Sequence, residues 1–321
     1  MAATGWRILR STDGGAPQLT GQAGSVLAIL RALLDTANSS GYWQEVFTGT
    51  NKAVFRAKNG DRQYLRVLDD PDSGRVAEVR GFTTMSDVDT GTNQFPTTAQ
   101  QANYTWRKSL TSDATARSYV AICDSRTFYV WAQYGTPSGN IMYQDMWGFG
   151  EFIKLIPSKP GMQTFVMGSV ASTVTSSNGA LISSRLTNNP YATSNFTTGY
   201  YTPDNIAGTL GSVIMTIAGP TGSPGMLLSE GYDLVLTPLI GGSVAGDGNS
   251  STDGQARGIY PYLRGTNIAS NDPGVNYSGI DTVQDEDGKT YQLILPGAST
   301  ATAANYVVAA FMISNTEMGV V

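Results

Sequence analysis

The dipeptide Asn59-Gly60 constrains this chain more than any other pair of residues. It stands between NKAVFRAK and DRQYLRVLDD, two runs rich in β-branched and aromatic residues. Asn-Gly in that setting is the strongest short-range signal for a β-hairpin. A tight turn at these two residues puts Phe55 opposite Tyr64, Val54 opposite Leu65 and Arg56 opposite Gln63. Both faces of such a hairpin carry apolar side chains, so it is expected to be covered on both sides. The stretch from Asn51 to Pro96 is then the frame of the N-terminal half.

The flanking sequence supplies elements to pack against it. Residues 11–24, with Asp13-Gly14-Gly15 and Ala16-Pro17, are turn-rich. Val26, Ile29, Leu30, Leu33 and Leu34 then recur at helical spacing, predicting an amphipathic helix from about Gln22 to Thr36 that stops at Asn38-Ser39-Ser40-Gly41. Trp43–Phe47 reads as a strand before the hairpin and Val76–Thr84 as a third strand after it. Met85–Pro96 reads as a long polar loop, and Thr98–Tyr104 as a helical turn. YVAIC and TFYVWAQ, joined at Asp124-Ser125-Arg126, predict two more strands, and Phe149–Ile156 the last element of this half.

The character changes near residue 160. Sixteen Lys and Arg and 14 acidic residues precede it, against four (Arg185, Arg257, Arg264, Lys289) and 11 after it. All five Trp lie before it, and 22 of the 37 Gly after it. The chain is too long for one typical core. Two domains are therefore expected: an α+β scaffold domain over 1–160 with an antiparallel sheet and one packed helix, and a Gly/Ser/Thr-rich β domain over 161–321. The fold class is α+β to mainly β. Strands are predicted in VIMTIAG, in LLSEGYDLVLTPLI, in GIYPYLRG and, after the Asp287-Gly288 turn signal, in TYQLILPG and ANYVVAAFMIS. Their spacing suggests a β-sandwich or small β-barrel. Residues 168–209 read as long loops, and Gly241–Gly254 as a flexible loop.

Charged residues make up 14% of the chain, against a usual value of about 25%. A subunit that covers much of its surface with neighbours has this composition, and so does a neutral extracellular β-protein. The sequence pI of about 4.8 and the lack of any Lys/Arg cluster argue against nucleic acid as a partner. No apolar run approaches the ~18 residues needed to span a bilayer, and Trp6-Arg7-Ile8 leads directly into polar residues. Synthesis in a cytoplasm without membrane insertion is the expectation. The single cysteine, Cys123, sits in an apolar run and reads as a buried, inert thiol.

The chain contains no histidine. This removes Ser-His and Cys-His nucleophile activation and the usual zinc ligand sets. Two-carboxylate glycosidase chemistry survives that test. Its candidates are Asp69, Asp70 and Asp72, or Asp87 and Asp89, or Asp285, Glu286 and Asp287. All sit beside Gly, Pro or Asn, where Asp is favoured for turn hydrogen bonds. Asp87–Asn93 and Asp247–Asp253 alternate oxygen ligands as a calcium loop does. The EF-hand pattern, however, needs Gly sixth and Glu twelfth, and these stretches have Thr92 and Thr98, and Thr252 and Gly258. Asx-turns explain both better. Gly219–Gly225 lacks the Lys and spacing of a phosphate loop. Tyr191, Tyr200, Tyr201, Tyr260 and Tyr262 could line a carbohydrate or protein contact, or be partly buried tyrosines of a β domain. No catalytic, cofactor-binding or metal residue is assigned.

The order of the irregular motifs adds a resemblance. STDGGAPQLTGQAG followed by the apolar helix, GYWQEVFTGTNKAVFRA, the Asn-Gly turn, QYLRVLDD and RVAEVRGFTTMSDVDTGTNQFP together resemble structural proteins of tailed-bacteriophage virions. The similarity covers about residues 9–150, including WRKS at Trp106 and FYVW at Phe128, with a weaker echo in ARGIYPYLRG and DGKTYQLIL. The resemblance implies a virion protein assembled in the host cytoplasm, most readily in the tail, hub or baseplate. It implies contacts with copies of itself and with other virion proteins, no cofactor and no enzymatic activity. A capsid-decorating or minor head protein is the nearest alternative. A carbohydrate-binding or glycan-degrading module that meets a host-surface glycan is another. It would need aromatic residues in one groove and two carboxylates about 5–9 Å apart.

Overall fold

The computed structural model describes residues 6–69, 75–102, 104–135, 144–153, 164–168, 200–203 and 257, together with the backbone of seven strands between 214 and 314. The chain opens with β1 (Arg7–Arg10) and α1 (Ser25–Leu34). Next come β2 (Trp43–Gly49), β3 (Lys52–Ala57), β4 (Tyr64–Leu68) and β5 (Val76–Phe82). A small hairpin, β6 (Thr84–Met85) and β7 (Gly91–Thr92), precedes β8 (Thr105–Arg107). The run continues with β9 (Tyr119–Cys123), β10 (Thr127–Gln133), β11 (Gln144–Glu151), β12 (Thr164–Met167) and β13 (Tyr200–Tyr201). The fold is thus mostly β, with a single helix among the described residues.

Two antiparallel sheets organise this part. One has the order β2-β3-β4-β5-β8 and the other β1-β9-β10-β11-β12-β13, so the second sheet runs past residue 160. Their facing sides share one apolar core. Trp43, Phe55, Leu65, Val67, Val79 and Trp106 come from the first sheet; Ala121, Phe128, Val130, Trp147, Phe149 and Val166 come from the second. Trp106 stacks on Trp147 with centroids 5.5 Å apart and planes within 4°, and meets Phe128 edge-on. Buried indole and phenol groups need polar partners. Three find one across the gap between the sheets: Trp106 Nε1 donates to Met167 O (2.6 Å), Tyr104 to Val166 O (3.2 Å) and Trp43 Nε1 to Asp124 O (2.8 Å).

The second sheet is buried on its other side too. Tyr129, Trp131, Phe165 and Tyr200 project from that side and form an aromatic layer with Phe152 and Trp6. Burial of both faces is why YVAIC and TFYVWAQ are continuous apolar runs without alternation. Helix α1 lies against β1, β2 and β9 and buries Val26, Ile29, Leu30 and Leu33. It is shorter than the sequence pattern at both ends. Gly24 (φ 84°) and Asp35 (φ 52°) take left-handed conformations that stop it. Arg31 ties the helix to β2 through a bidentate pair with Glu45 (2.7 and 2.8 Å), a partly exposed contact worth under about 1 kcal/mol.

The hairpin differs from its sequence expectation by one residue. Phe55 faces Leu65, not Tyr64, while Val54 faces Arg66 and Arg56 faces Tyr64. A tight turn of the favoured type needs positive φ at both Asn59 and Gly60. Here the positive values fall at Gly60 (71°) and Arg62 (56°), giving a wider loop from Lys58 to Gln63. The hydrophobic pattern explains the shift, because side-chain alternation fixes register wherever one face is buried. The observed pairing puts Ala53, Phe55, Leu65 and Val67 together in the core. The outer face of the hairpin is covered in part: Val54 is buried with Phe82 and Met85, while Arg56 and Arg66 stay partly solvated.

Other boundaries also move. Met85–Pro96 is not all loop, since β6 and β7 pair within Thr84–Thr92. The strand expected at Phe149–Ile156 is β11, which starts five residues earlier and ends at Glu151. Beyond it, β14 (Ile214–Ile217), β15 (Leu239–Val244) and β16 (Ser250–Gln255) form one antiparallel sheet. A second holds β17 (Ile259–Tyr262), β18 (Thr282–Gln284), β19 (Thr290–Ile294) and β20 (Ala310–Ser314), in the order β17-β20-β19-β18. The supposed loop Gly241–Gly254 therefore supplies most of a hairpin, with a register shift at Gly241/Gly242. Glycine and serine there masked the alternation that marks a strand. Of the strand read in Leu227–Ile240, residues 227–238 lie outside the described residues.

Gly60 is a position where a side chain meets two obstacles. Its φ disfavours β-branched residues, and a Cβ would overlap the Glu151 carboxylate. Gly60→Val is expected to cost more than ~1 kcal/mol in chemical denaturation. An unchanged midpoint would show that the loop opens freely away from Glu151.

Candidate functional site

Among the described carboxylates that were singled out in the sequence, Asp69 is the most buried. It sits at the end of β4 with no solvent exposure, and Lys108, equally buried, bonds its Oδ1 at 2.5 Å. Asp69 Oδ2 accepts the amides of Val26 (2.7 Å) and Leu27 (3.3 Å) in the first turn of α1. Lys108 Nζ also donates to Gln22 O at 2.6 Å. Burial pushes the Asp69 carboxyl up, with Lys108 and the two amides pulling the other way. The helix has no capping side chain of its own at Gly24. A carboxylate 43 residues away does that work, at the end of the helix whose dipole favours negative charge.

Asp87 and Asp89 do not come together as an acid–base pair. Asp87 Oδ1 accepts the amides of Asp89 (2.7 Å) and Thr90 (2.8 Å), an Asx-turn that lowers its pKa. Asp89 is held low by hydrogen bonds to Lys52 and Arg66, the latter at 2.9 Å. Two cations thus occupy the carboxylate that a calcium ion would need. Among the described residues no three His, Cys, Asp or Glu side chains converge as a metal site. Asp70, Asp72, Asp247, Asp285, Glu286, Asp287, Gly219–Gly225 and Tyr191 lie outside the described residues. Tyr200 and Tyr201 are buried packing residues, 0% and 5% exposed, while Tyr260 lies opposite Met312 and Tyr262 opposite Ala310 in the β17–β20 pairing.

Sequence reading missed a second cluster, at one end of the six-stranded sheet. Asp124 Oδ1 closes the β9–β10 turn by accepting the amides of Arg126 (2.8 Å) and Thr127 (2.6 Å). Its Oδ2 takes Arg257 Nε at 2.9 Å, both side chains being buried. Next to it, Glu151 at the end of β11 is 6% exposed. Its carboxylate accepts the Asp61 amide from the β3–β4 loop and lies 3.6 Å from Arg126. Thr127 Oγ1 fixes the Glu151 backbone by accepting its amide (3.1 Å) and donating to its carbonyl (3.0 Å). Burial pushes Glu151 up to about 7; the Asp61 charge pushes the same way, and the Asp61 amide, Arg126 and Arg257 oppose it. The signals in the sequence were faint: a lone Arg257 in a cation-poor half, and a Glu ending an aromatic strand.

A groove of about 470 Å³ opens at the C-terminal end of α1, lined by Leu33, Leu34, Asp35, Tyr42, Trp43 and Cys123, among others. Arg7 pairs with Asp35 across it at 3.0 Å. Cys123 donates to Leu33 O at 3.3 Å, and burial pushes its thiol up to about 12. A thiol held protonated is a poor nucleophile and metal ligand.

Comparison of the sequence with protein-family models gives no match, and comparison with curated proteins gives none either. No helix among the described residues is long and apolar enough to cross a membrane. The chemistry of the side chains therefore carries the functional reading.

Removing one partner of a fully buried ion pair leaves an uncompensated charge, a loss of about 3–5 kcal/mol. Lys108→Ala is expected to show that loss in urea denaturation. Combining Asp69→Asn with Lys108→Met is expected to cost less than the two single changes summed, since no buried charge then remains. Strict additivity would mean that the two side chains act independently.

Proposed function

We propose that this chain is a structural subunit of a tailed-bacteriophage virion, sited in the tail, hub or baseplate and acting through repeated contacts with its own copies and other virion proteins. One observation carries the reading. The described carboxylates that the sequence offered for catalysis are engaged in building the scaffold: Asp69 caps α1 and pairs with Lys108, Asp87 closes a turn, and Asp89 binds Lys52 and Arg66. Glycoside hydrolysis needs two carboxylates free to flank a sugar, and these three are committed to a helix start, a turn and cations. The resemblance over residues 9–150 and a charged fraction of 14% agree with a surface that neighbours cover.

In this reading the subunit is assembled in the host cytoplasm, carries no cofactor and has no enzymatic activity. The scaffold takes in β12 and β13 and so reaches past residue 160. The Gly/Ser/Thr-rich remainder forms a second β domain, a sandwich or small barrel, for which the antiparallel β14-β15-β16 and β17-β20-β19-β18 sheets supply the strands. Subunits of a closed assembly bury matching patches by symmetry, so the contacts belong to low-charge strand edges and loops.

Imaging intact particles at a resolution that traces this chain tests the proposal. Symmetric copies in the tail or baseplate are the expected result. Density on the capsid lattice would overturn the tail placement. A free monomer that turns over a glycan would overturn the structural role itself.

A further inference from the structure

The Glu151 cluster joins parts of the chain that are far apart in sequence. Asp61 belongs to the loop between β3 and β4 of the five-stranded sheet, and Glu151 ends β11 of the six-stranded sheet, 90 residues later. The carboxylate occupies the space that a side chain at residue 60 would fill, so glycine there makes room for it. Three charged groups act on it. Asp61 comes from the β3–β4 loop, Arg126 from the β9–β10 turn, and Arg257, itself paired with Asp124, from the segment between β16 and β17. The two arginines are shared: Arg257 is committed to Asp124 at 2.9 Å, and Arg126 reaches Glu151 only at 3.6 Å. Glu151 is thus buried with its nearest guanidinium at 3.6 Å and no counter-ion of its own at closer range.

We propose that Glu151 is a protonation-gated latch between the β3–β4 loop and the six-stranded sheet, closed while its carboxyl is protonated and loosened when it ionises. A neutral carboxyl accepts the Asp61 amide and stays buried without the cost of dehydrating a charge. An ionised one gains from that amide, Arg126 and Arg257, but loses hydration and faces the Asp61 carboxylate, and the loss is the larger. Opening the Lys58–Gln63 loop returns it to water. The sign follows from linkage. A carboxyl raised above its ordinary value of 4.5 gives its full stabilisation below that value and loses it as pH rises through about 7. The latch stands whether or not the chain is a particle subunit. In a particle, it makes a contact between the two sheets sensitive to whether the medium is mildly acidic or mildly alkaline.

Hydrogen exchange on the full chain, corrected for intrinsic rates, reads the latch directly. Protection of the amides in residues 58–63 is expected to fall about tenfold between about pH 6 and about pH 8, and to become independent of pH in Glu151→Gln. The neighbours give opposite signs. Asp61→Asn, which keeps the donating amide, is expected to shrink the fall by removing a repelling charge. Arg126→Gln is expected to enlarge it by removing an attracting one. These two variants keep the test decisive even where Glu151→Gln folds poorly. Equal protection at both pH values in the parent chain would overturn the proposal, as would a fall that neither neighbour alters.

Discussion

The hydrogen-bonded ion pair between Asp69 and Lys108 is the contact on which the N-terminal half depends. Asp69 stands where β4 leaves the sheet, and its two oxygens face two different tasks. One receives the first free amides of α1, the other an ammonium that in turn reaches back to Gln22, just before the helix. The backbone joins in: Gly24 donates to Asp69 O and Asp69 donates to Asn51 O. Helix start, preceding loop, β2–β3 turn and β4 end are therefore fixed to one residue. A buried ion pair offsets its desolvation only when its remaining polar atoms are satisfied. With two amides on the carboxylate and a carbonyl on the ammonium, this one meets that condition.

The two sheets meet through a different set of contacts. Their facing sides are aromatic and aliphatic, and three polar side chains there bond across from one sheet to the other: Trp43 to Asp124, Trp106 to Met167, Tyr104 to Val166. Apolar packing is tolerant of small slides, whereas hydrogen bonds with a fixed partner are not. Three buried donors on one sheet with carbonyl acceptors on the other set the relative position of the sheets, and the stacked pair Trp106–Trp147 fills the gap between them.

What was legible in the sequence was what depends on near neighbours. The spacing of Val26, Ile29, Leu30, Leu33 and Leu34 gave the helix and its buried face, and the unbroken runs at Tyr119–Cys123 and Thr127–Gln133 gave two central strands. The hairpin was visible but its register was not. A local turn preference pointed to Phe55–Tyr64, and a core assembled from distant residues selected Phe55–Leu65. Asp69 and Glu151 were opaque for the same reason. The amides they serve lie 43 and 90 residues away, and no local pattern records such a partner. Asp87 was readable as an Asx-turn because the two amides that donate to it lie within three residues.

Asp69 and Glu151 show how one residue class supports two kinds of behaviour. Both are carboxyls under 7% exposed, and burial is the largest influence raising each. Asp69 has a lysine of its own at 2.5 Å and two helix amides. Glu151 has one amide, a guanidinium at 3.6 Å and another bound to a different acid. Full coordination makes the first a fixed joint, because both of its oxygens already hold donors of their own. Partial coordination leaves the second balanced between a buried neutral form and a solvated charged one. The difference lies in the number and distance of the partners, and it assigns rigidity to the junction of helix and sheet, and responsiveness to the contact between the two sheets.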